Sequence, residues 1–352
     1  MLSDKLLSTS LHFPTSIGPD LFVWGDNGTG QLGLGDTIKR SSPVQLAGTW
    51  ASVSLGADFC SGLKPDGSLW VWGRNEYGPM GLGDTLRRSS PVQIAGTWTA
   101  VSLGYRMLAA IKADGSMWVS GRNSFGQLGL GNYVDRSSPV QIAGTWAAVS
   151  IGSSFSAALK ADGSMWTWGG NGTGQLGLGD TVRRSSPVQL AGTWNSVKIY
   201  SHSSALKADG SLWLWGFAGN GKLGDGITIN RSSPIQVTGT WSVIGTGGNT
   251  HALRGDGSLW TWGYNSGRLG VGDTIDRSSP TQVAGTWVSV NPANNHSSAL
   301  KADGSLWIWG TNGFGQLGLG DSGVNRSSPV QIPGTWKQLA MGSSNSNAAF
   351  RF

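Results

Sequence analysis

Along the chain, apolar and polar positions alternate in short runs. In Ser68-Leu69-Trp70-Val71-Trp72 a period of two sets Leu69 with Val71 on one face and Trp70 with Trp72 on the other. That pattern predicts a strand. The same reading predicts further short strands over Pro91–Ile94, Trp98–Leu103 and Leu108–Lys112. The last of these turns through Ala113-Asp114-Gly115 into the next group, and Asp-Gly is a strong hairpin signal because glycine takes positive φ without strain.

The four-strand pattern recurs. Arg-Ser-Ser-Pro occurs seven times, with prolines at Pro43, Pro91, Pro139, Pro187, Pro234, Pro280 and Pro329, at intervals of 48, 48, 48, 47, 46 and 49 residues. A Gly-Thr-Trp follows each copy, ending at Trp50, Trp98, Trp146, Trp194, Trp241, Trp287 and Trp336. The Asp-Gly pairs that lie between units, from Asp66-Gly67 to Asp303-Gly304, number six. The two ends of the chain take the place of the seventh. Leu21–Gly25 aligns with Leu69–Gly73 just after such a turn, and Asn347–Phe352 aligns with the strand just before one. Pairing them closes a ring without a free first or last strand, whereas a linear solenoid would show atypical caps. The expected fold is all-β: a seven-bladed β-propeller of four-stranded blades over residues 20–352, closed by pairing N- and C-terminal strands in one blade. Residues 1–19 form a tail outside it.

Composition agrees and narrows the class. Glycine supplies 57 of 352 residues, charged residues only 12%, and there are 19 tryptophans. Glycine at this level is costly in helices, and aromatic density contradicts disorder. A net charge of +6 allows an anionic partner. One cysteine, Cys60, excludes an internal disulfide framework. The N-terminus lacks a recognisable signal peptide, and no apolar run reaches the roughly 20 residues of a membrane span, which points to a cytoplasmic or virion location without membrane insertion. The tail carries Leu2, Leu6, Leu7, Leu11 and Phe13, enough apolar surface to dock. Its near-neutral charge argues against a nucleic-acid partner.

The segment Gly121-Arg122-Asn123-Ser124-Phe125-Gly126-Gln127-Leu128-Gly129-Leu130-Gly131, with the downstream Arg-Ser-Ser-Pro-Val-Gln and the Leu-Lys-Ala-Asp-Gly-Ser-Leu-Trp turn, resembles the regulator-of-chromosome-condensation (RCC1-like) repeat of bacterial or phage type. The resemblance covers residues 20 to 352 and implies a seven-bladed propeller closed by mixing its termini. Family members include the chromatin-bound nucleotide exchange factor for a small GTPase, the plant ultraviolet-B photoreceptor and a bacterial β-lactamase inhibitor. Each puts its activity in departures from the repeat. Here the even intervals leave no room for the exchange factor's inserted wedge, and the photoreceptor's Gly-Trp-Arg-His-Thr motif is absent. The family's histidine before the Ser-x-Ala-Leu strand reads Phe59, Met107, Phe155, His202, Asn249, His296 and Asn345.

Candidate chemistry is sparse. His12, His202, His251 and His296 fall in separate units or the tail, without metal-ligand spacing, so no metal or other cofactor is expected. Glycine strings such as Gly33-Leu34-Gly35 lack the following helix and Lys-Ser/Thr pair of a phosphate loop. The pairs Trp70/Trp72, Trp166/Trp168, Trp213/Trp215, Trp260/Trp262 and Trp307/Trp309 recur at one strand position, as blade-to-blade packing requires. Seven arginines, Arg40, Arg88, Arg136, Arg184, Arg231, Arg277 and Arg326, occupy one position. Asp36, Asp84, Asp180 and Asp273 lie four residues before theirs, while unit three has Asn132 and unit five the shifted Asp225. Two readings are open: ion pairs within each loop, or an anion-binding rim.

Partner specificity is expected where the copies differ. The loop after Trp-Gly contributes Arg74, Asn75, Glu76, Tyr77, Arg122, Phe125, Phe217, Tyr264 and Phe314, and the loop after the third strand adds Asp58, Tyr105, Arg106 and Asn294. Aromatics and arginines on loops are the usual components of binding hot spots. The binding set is Arg74, Tyr77, Tyr105, Arg106, Arg122, Phe125, Phe217, Tyr264 and Phe314. The expected function is a non-enzymatic interaction scaffold for a protein or glycan partner, with a phage virion component as its particular form. A small-GTPase regulator and an enzyme inhibitor are the alternatives.

Overall fold

A computed structural model describes residues 20–341 and 345–351. The tail at 1–19 lies outside the described residues. Seven four-stranded antiparallel sheets form the blades of a propeller. Blade 2 comprises, from the axis outward, Ser52–Leu55, Phe59–Leu63, Leu69–Gly73 and Arg88–Ile94. Blades 3 to 7 repeat it, their innermost strands being Ala100–Leu103, Ala148–Ile151, Ser196–Ile199, Val243–Thr246 and Ser289–Pro292. Blade 1 closes the ring. Its inner strands Trp336–Met341 and Ser346–Arg351 come from the C-terminus, its outer strands Asp20–Gly25 and Arg40–Leu46 from the N-terminus, and Leu21 pairs with Phe350.

The expected strands are present with shifted edges. The outer strand of blade 2 begins at Arg88, three residues before Pro91, because Arg88 pairs with Gly73 across an irregularity in the register. The following inner strand begins at Ala100; Trp98 sits in the turn, its N–H held by the Gly67 carbonyl at 2.8 Å. One alignment is corrected. Gly73 faces Phe59, and Gly25 faces Ser346, so the blade 1 equivalent of Phe59 is Ser346 rather than Asn345.

Seven apolar clusters fill the seven spaces between blades. Between blades 2 and 3, Phe59, Leu69, Val71 and Ile94 on one face meet Trp98, Leu108 and Ala110 on the next. Leu69 and Val71 therefore share a face, as the alternation implies. The tryptophans form the other half of each interface: Trp50 lies 5.5 Å from Trp72, and Trp146 5.9 Å from Trp168, ring to ring. The inner tryptophan of each pair also locks the previous blade's loop. Trp24, Trp72, Trp168, Trp215, Trp262 and Trp309 donate Nε1–H to the carbonyls of Gln316, Gln31, Gln127, Gln175, Lys222 and Arg268 at 2.8–3.0 Å. In blade 3, where Ser120 replaces the tryptophan, its hydroxyl donates to the Pro79 carbonyl instead, at 2.8 Å. The buried Cys60 thiol donates to the Gln31 carbonyl at 3.0 Å, and burial pushes its pKa up, so it packs as a small inert side chain.

Candidate functional site

Strand pairing decides which loops share a face. Gly73 pairs with both Phe59 and Arg88, so the short loop before Phe59 and the long loop between Gly73 and Arg88 leave blade 2 at the same end. The same holds around the ring, so both variable loop sets lie on one side, the loop face. The Asp-Gly turns and the Gly-Thr-Trp segments occupy the opposite side.

On that opposite side one cation in each of blades 2 to 7 stands over an aromatic ring. Lys64, Lys112, Lys160, Lys207, Arg254 and Lys301 lie 4.0–4.5 Å from the ring centroids of Trp70, Trp118, Trp166, Trp213, Trp260 and Trp307. Asp66 and its equivalents bond the serine two residues on, whose hydrogen bonds hold their carboxyls below the usual range. Two clefts of about 470 and 450 Å³ open on the flank between blades 3 and 4 and between blades 7 and 1. Their walls are repeat residues such as Trp146, Lys160 and Pro187, so they mark blade geometry and not a unique site.

The loop face differs. A buried asparagine organises most long loops: Asn27 accepts from the Leu32 N–H at 2.9 Å and donates to Asp36 and Ile38. Asn75 does the same work for Met80 and Asp84, so it is a loop bracket and not a free recognition residue. The arginine ring is paired. Asp36–Arg40, Asp84–Arg88, Asp180–Arg184, Asp225–Arg231, Asp273–Arg277 and Asp321–Arg326 form ion pairs of 2.5–2.8 Å. Backbone N–H donation from Ile38, then Arg40, holds the Asp36 carboxyl low. Of the two readings, loop ion pairs hold in six units; Arg136 in unit three donates to the Asp135 carbonyl and, among the described residues, forms no ion pair.

The predicted binding residues separate into three places. Tyr77, Tyr105, Arg106, Arg122 and Phe125 come together across blades 2 and 3. The Arg106 guanidinium stands 4.9 Å from both the Tyr77 and Tyr105 ring centroids, and Arg122 lies 5.3 Å from Tyr77 and 5.9 Å from Phe125. The three aromatics are each about two-fifths exposed, at 38%, 40% and 41%. Arg74 borders this cluster with its guanidinium held by Asp58 at 3.3 Å and Glu76 at 2.6 Å. Phe217 and Tyr264 lie on blades 5 and 6 beside Lys222 and Arg268, at 5.2 and 4.9 Å. Phe314 is exposed on the blade 7 loop, apart from both.

Two features of the long loops lie outside the predicted binding set. Ile38, Leu86, Val134, Val182, Ile229, Ile275 and Val324 are one repeat position, and all are 54–66% exposed, a ring of aliphatic side chains on the long loops. Every unit has an aliphatic residue there, so a search for departures from the repeat passes over them. The second is the glutamine of the long loop. Gln31, Gln127, Gln175 and Gln316 accept through Oε1 the N–H of the residue two before, at 2.8–2.9 Å. Units two, five and six carry Pro79, Lys222 and Arg268 there, and in those three units Tyr77, Asn220 and Ser266 take φ of +70°, +61° and +41°. Loss of the amide bracket and the left-handed backbone go together.

Among the described residues no three His, Cys, Asp or Glu side chains are grouped to hold a metal ion. Among those residues no helix is long and apolar enough to cross a membrane.

Comparison with known proteins matches this geometry to a family. The model described as "Regulator of chromosome condensation (RCC1) repeat" matches seven times, at residues 20–63, 66–111, 114–159, 162–203, 209–251, 256–300 and 303–348. The chain belongs to the RCC1 repeat family. A second RCC1 repeat model matches residues 146–175. No curated protein matches the sequence. Among solved structures, human WBSCR16 is 21% identical with a TM-score of 0.86, over 95% of this chain and 100% of that one. Prp20p of Saccharomyces cerevisiae, reported with its binding properties to Gsp1p and histones, is 19% identical with a TM-score of 0.85, over 97% and 95%. Yeast RCC1 (Prp20) bound to Kap60 is 18% identical with a TM-score of 0.85, over 98% and 91%. These likenesses establish the RCC1 fold.

Proposed function

We propose that this RCC1-repeat protein is a non-enzymatic scaffold that binds a protein partner on its loop face. The observation that carries the reading is the cluster of Tyr77, Tyr105 and Arg106 with Arg122 and Phe125 beside it, its three aromatics exposed and the whole built by two adjacent blades. Rigid aromatic anchors with arginine are the composition of protein hot spots, and the aliphatic residues of the long loops add apolar surface on the same face. Relatives of this fold add support: Prp20p has been characterised for binding Gsp1p and histones, and is seen bound to Kap60. The finer form of the reading is a phage virion component, to which the near-identity of the seven units lends its support; recovery of the chain in purified particles tests it.

Comparing partner recovery by the wild-type chain and by a Tyr77→Ala, Arg106→Ala, Arg122→Ala variant tests the scaffold reading. The variant should lose at least 100-fold in affinity, since three hot-spot truncations each cost more than about 1 kcal/mol. Equal recovery by a correctly folded variant overturns it. The second reading, regulation of a small GTPase, draws on the Gsp1p-binding relative. Faster nucleotide release from a GTPase in the presence of this chain would favour that reading.

A further inference from the structure

Blades 5 and 6 carry an irregularity that the scaffold reading does not use. Lys222 and Arg268 stand where four other units have the bracketing glutamine. The exchange brings three costs. The Oε1 acceptor is lost, Asn220 and Ser266 go to positive φ, and two cations are drawn partly out of water within electrostatic reach of each other. Burial lowers the Lys222 pKa to about 8, with the Arg268 charge adding to it, and burial also lowers that of Arg268. Among the described residues neither cation forms an ion pair, although six of the seven ring arginines do.

The two cations are held in place. Thr250 donates its hydroxyl proton to the Lys222 carbonyl at 2.8 Å, so its oxygen accepts from His202 Nε2 at 2.6 Å and this buried imidazole carries its proton on Nε2. The Lys222 ammonium reaches the Ser201 hydroxyl at 3.4 Å, and its stem lies over Gly263 of blade 6. Arg268 donates through Nη1 to the Asn294 carbonyl at 3.2 Å, while its buried Nε has no partner. Both side chains thus turn inward onto the inner loops of blades 5 and 7. Tyr200 stands within electrostatic reach of Arg268 and Tyr105, and Phe217 and Tyr264 wall the outer side.

We propose that Lys222 and Arg268, on the loop face between blades 5 and 6, form a binding site for an oxyanion, a phosphate or a carboxylate. Two positioned, desolvated cations without a carboxylate are costly in isolation and favourable around an anion, which accepts their spare N–H groups. The glutamine of the other units supplies the comparison variant, since the fold already accepts it there. The site shares no residue with the Tyr77–Arg106 cluster, so it stands or falls separately.

The test is thermal unfolding of the full chain titrated with inorganic phosphate, and separately with succinate, at ionic strength matched with sodium chloride. Wild type should show a saturable rise of several degrees in midpoint. The Lys222→Gln, Arg268→Gln variant should start at or above the wild-type midpoint and show no rise. A rise with phosphate alone assigns the site to phosphate; a rise with both assigns it to carboxylates as well. An equal response of variant and wild type, or no response of wild type to either anion, overturns the proposal. Should the variant fail to fold, the Lys222 ammonium of wild type decides by NMR. Saturating phosphate should raise its pKa from about 8 toward the ordinary 10.5, and an unmoved pKa overturns the site.

Discussion

Tyr77 holds φ at +70° because Pro79, lacking a side-chain acceptor, replaces the glutamine that brackets the same loop in four other units. Left-handed backbone costs an L-residue roughly 1–2 kcal/mol, and more for a β-branched one. Tyr77→Gly should leave stability within about 1 kcal/mol of wild type, relief of strain offsetting the added freedom of the unfolded chain. Tyr77→Val should fall about 1–2 kcal/mol below the glycine variant. Urea unfolding of the two variants checks this, and equal midpoints would refute the strain. At this scale the predicted binding residues were legible as departures from the repeat, and the Tyr77, Tyr105, Arg106, Arg122 and Phe125 group came together as one patch. Lys222 and Arg268 were not singled out, because each is one substitution at the glutamine position and nothing along the chain says that the two approach each other; in unit six the loop Asn265-Ser266-Gly267-Arg268 is also one residue shorter.

Each long loop is an element that belongs to one blade and seats on the next. Gly177 shows how tightly: its φ is +74°, and a Cβ there would lie 2.8 Å from Trp215 Nε1 of the following blade. Gly172, five residues away, faces open space. Gly177→Ala should cost about 2–4 kcal/mol, from left-handed strain plus overpacking of the Trp215 contact, whereas Gly172→Ala should be near neutral. Denaturant midpoints of the pair separate a seating role from mere loop flexibility. Strand identity was readable from alternation, since a period of two is a local property. Strand edges were not. The Arg-Ser-Ser stretch does not alternate, and its entry into the outer strand depends on the irregular register between Val71 and Gly73, set by the neighbouring strand.

Across the whole molecule, three imidazoles are sealed between blades. Burial lowers the pKa of His202 to about 3, with Lys222 contributing, that of His251 to about 3, and that of His296 to about 4. Each folded pKa lies below the unfolded value near 6.5, so below pH 6.5 the unfolded chain binds protons that the folded chain refuses. Stability should therefore fall with acidity between about pH 6.5 and 4, by roughly 1.4 kcal/mol per pH unit for each histidine. His202→Phe restores the residue found at Phe59 and Phe155 and should flatten the slope by about a third. Urea midpoints at pH 7 and 5 measure it; a slope unchanged in the variant removes His202 from the account.

The strands, the count of seven units and the closure by the two chain ends were determined by the sequence alone. They follow from alternation within about five residues and from a period near 48, neither of which needs a partner to be read. Which loops share a face, and how Lys222 and Arg268 from different blades come within electrostatic reach of each other, were decided only by the tertiary structure. Those relations join residues on different strands or different blades, where register, side-chain direction and loss of water act together. No order of residues along the chain expresses them.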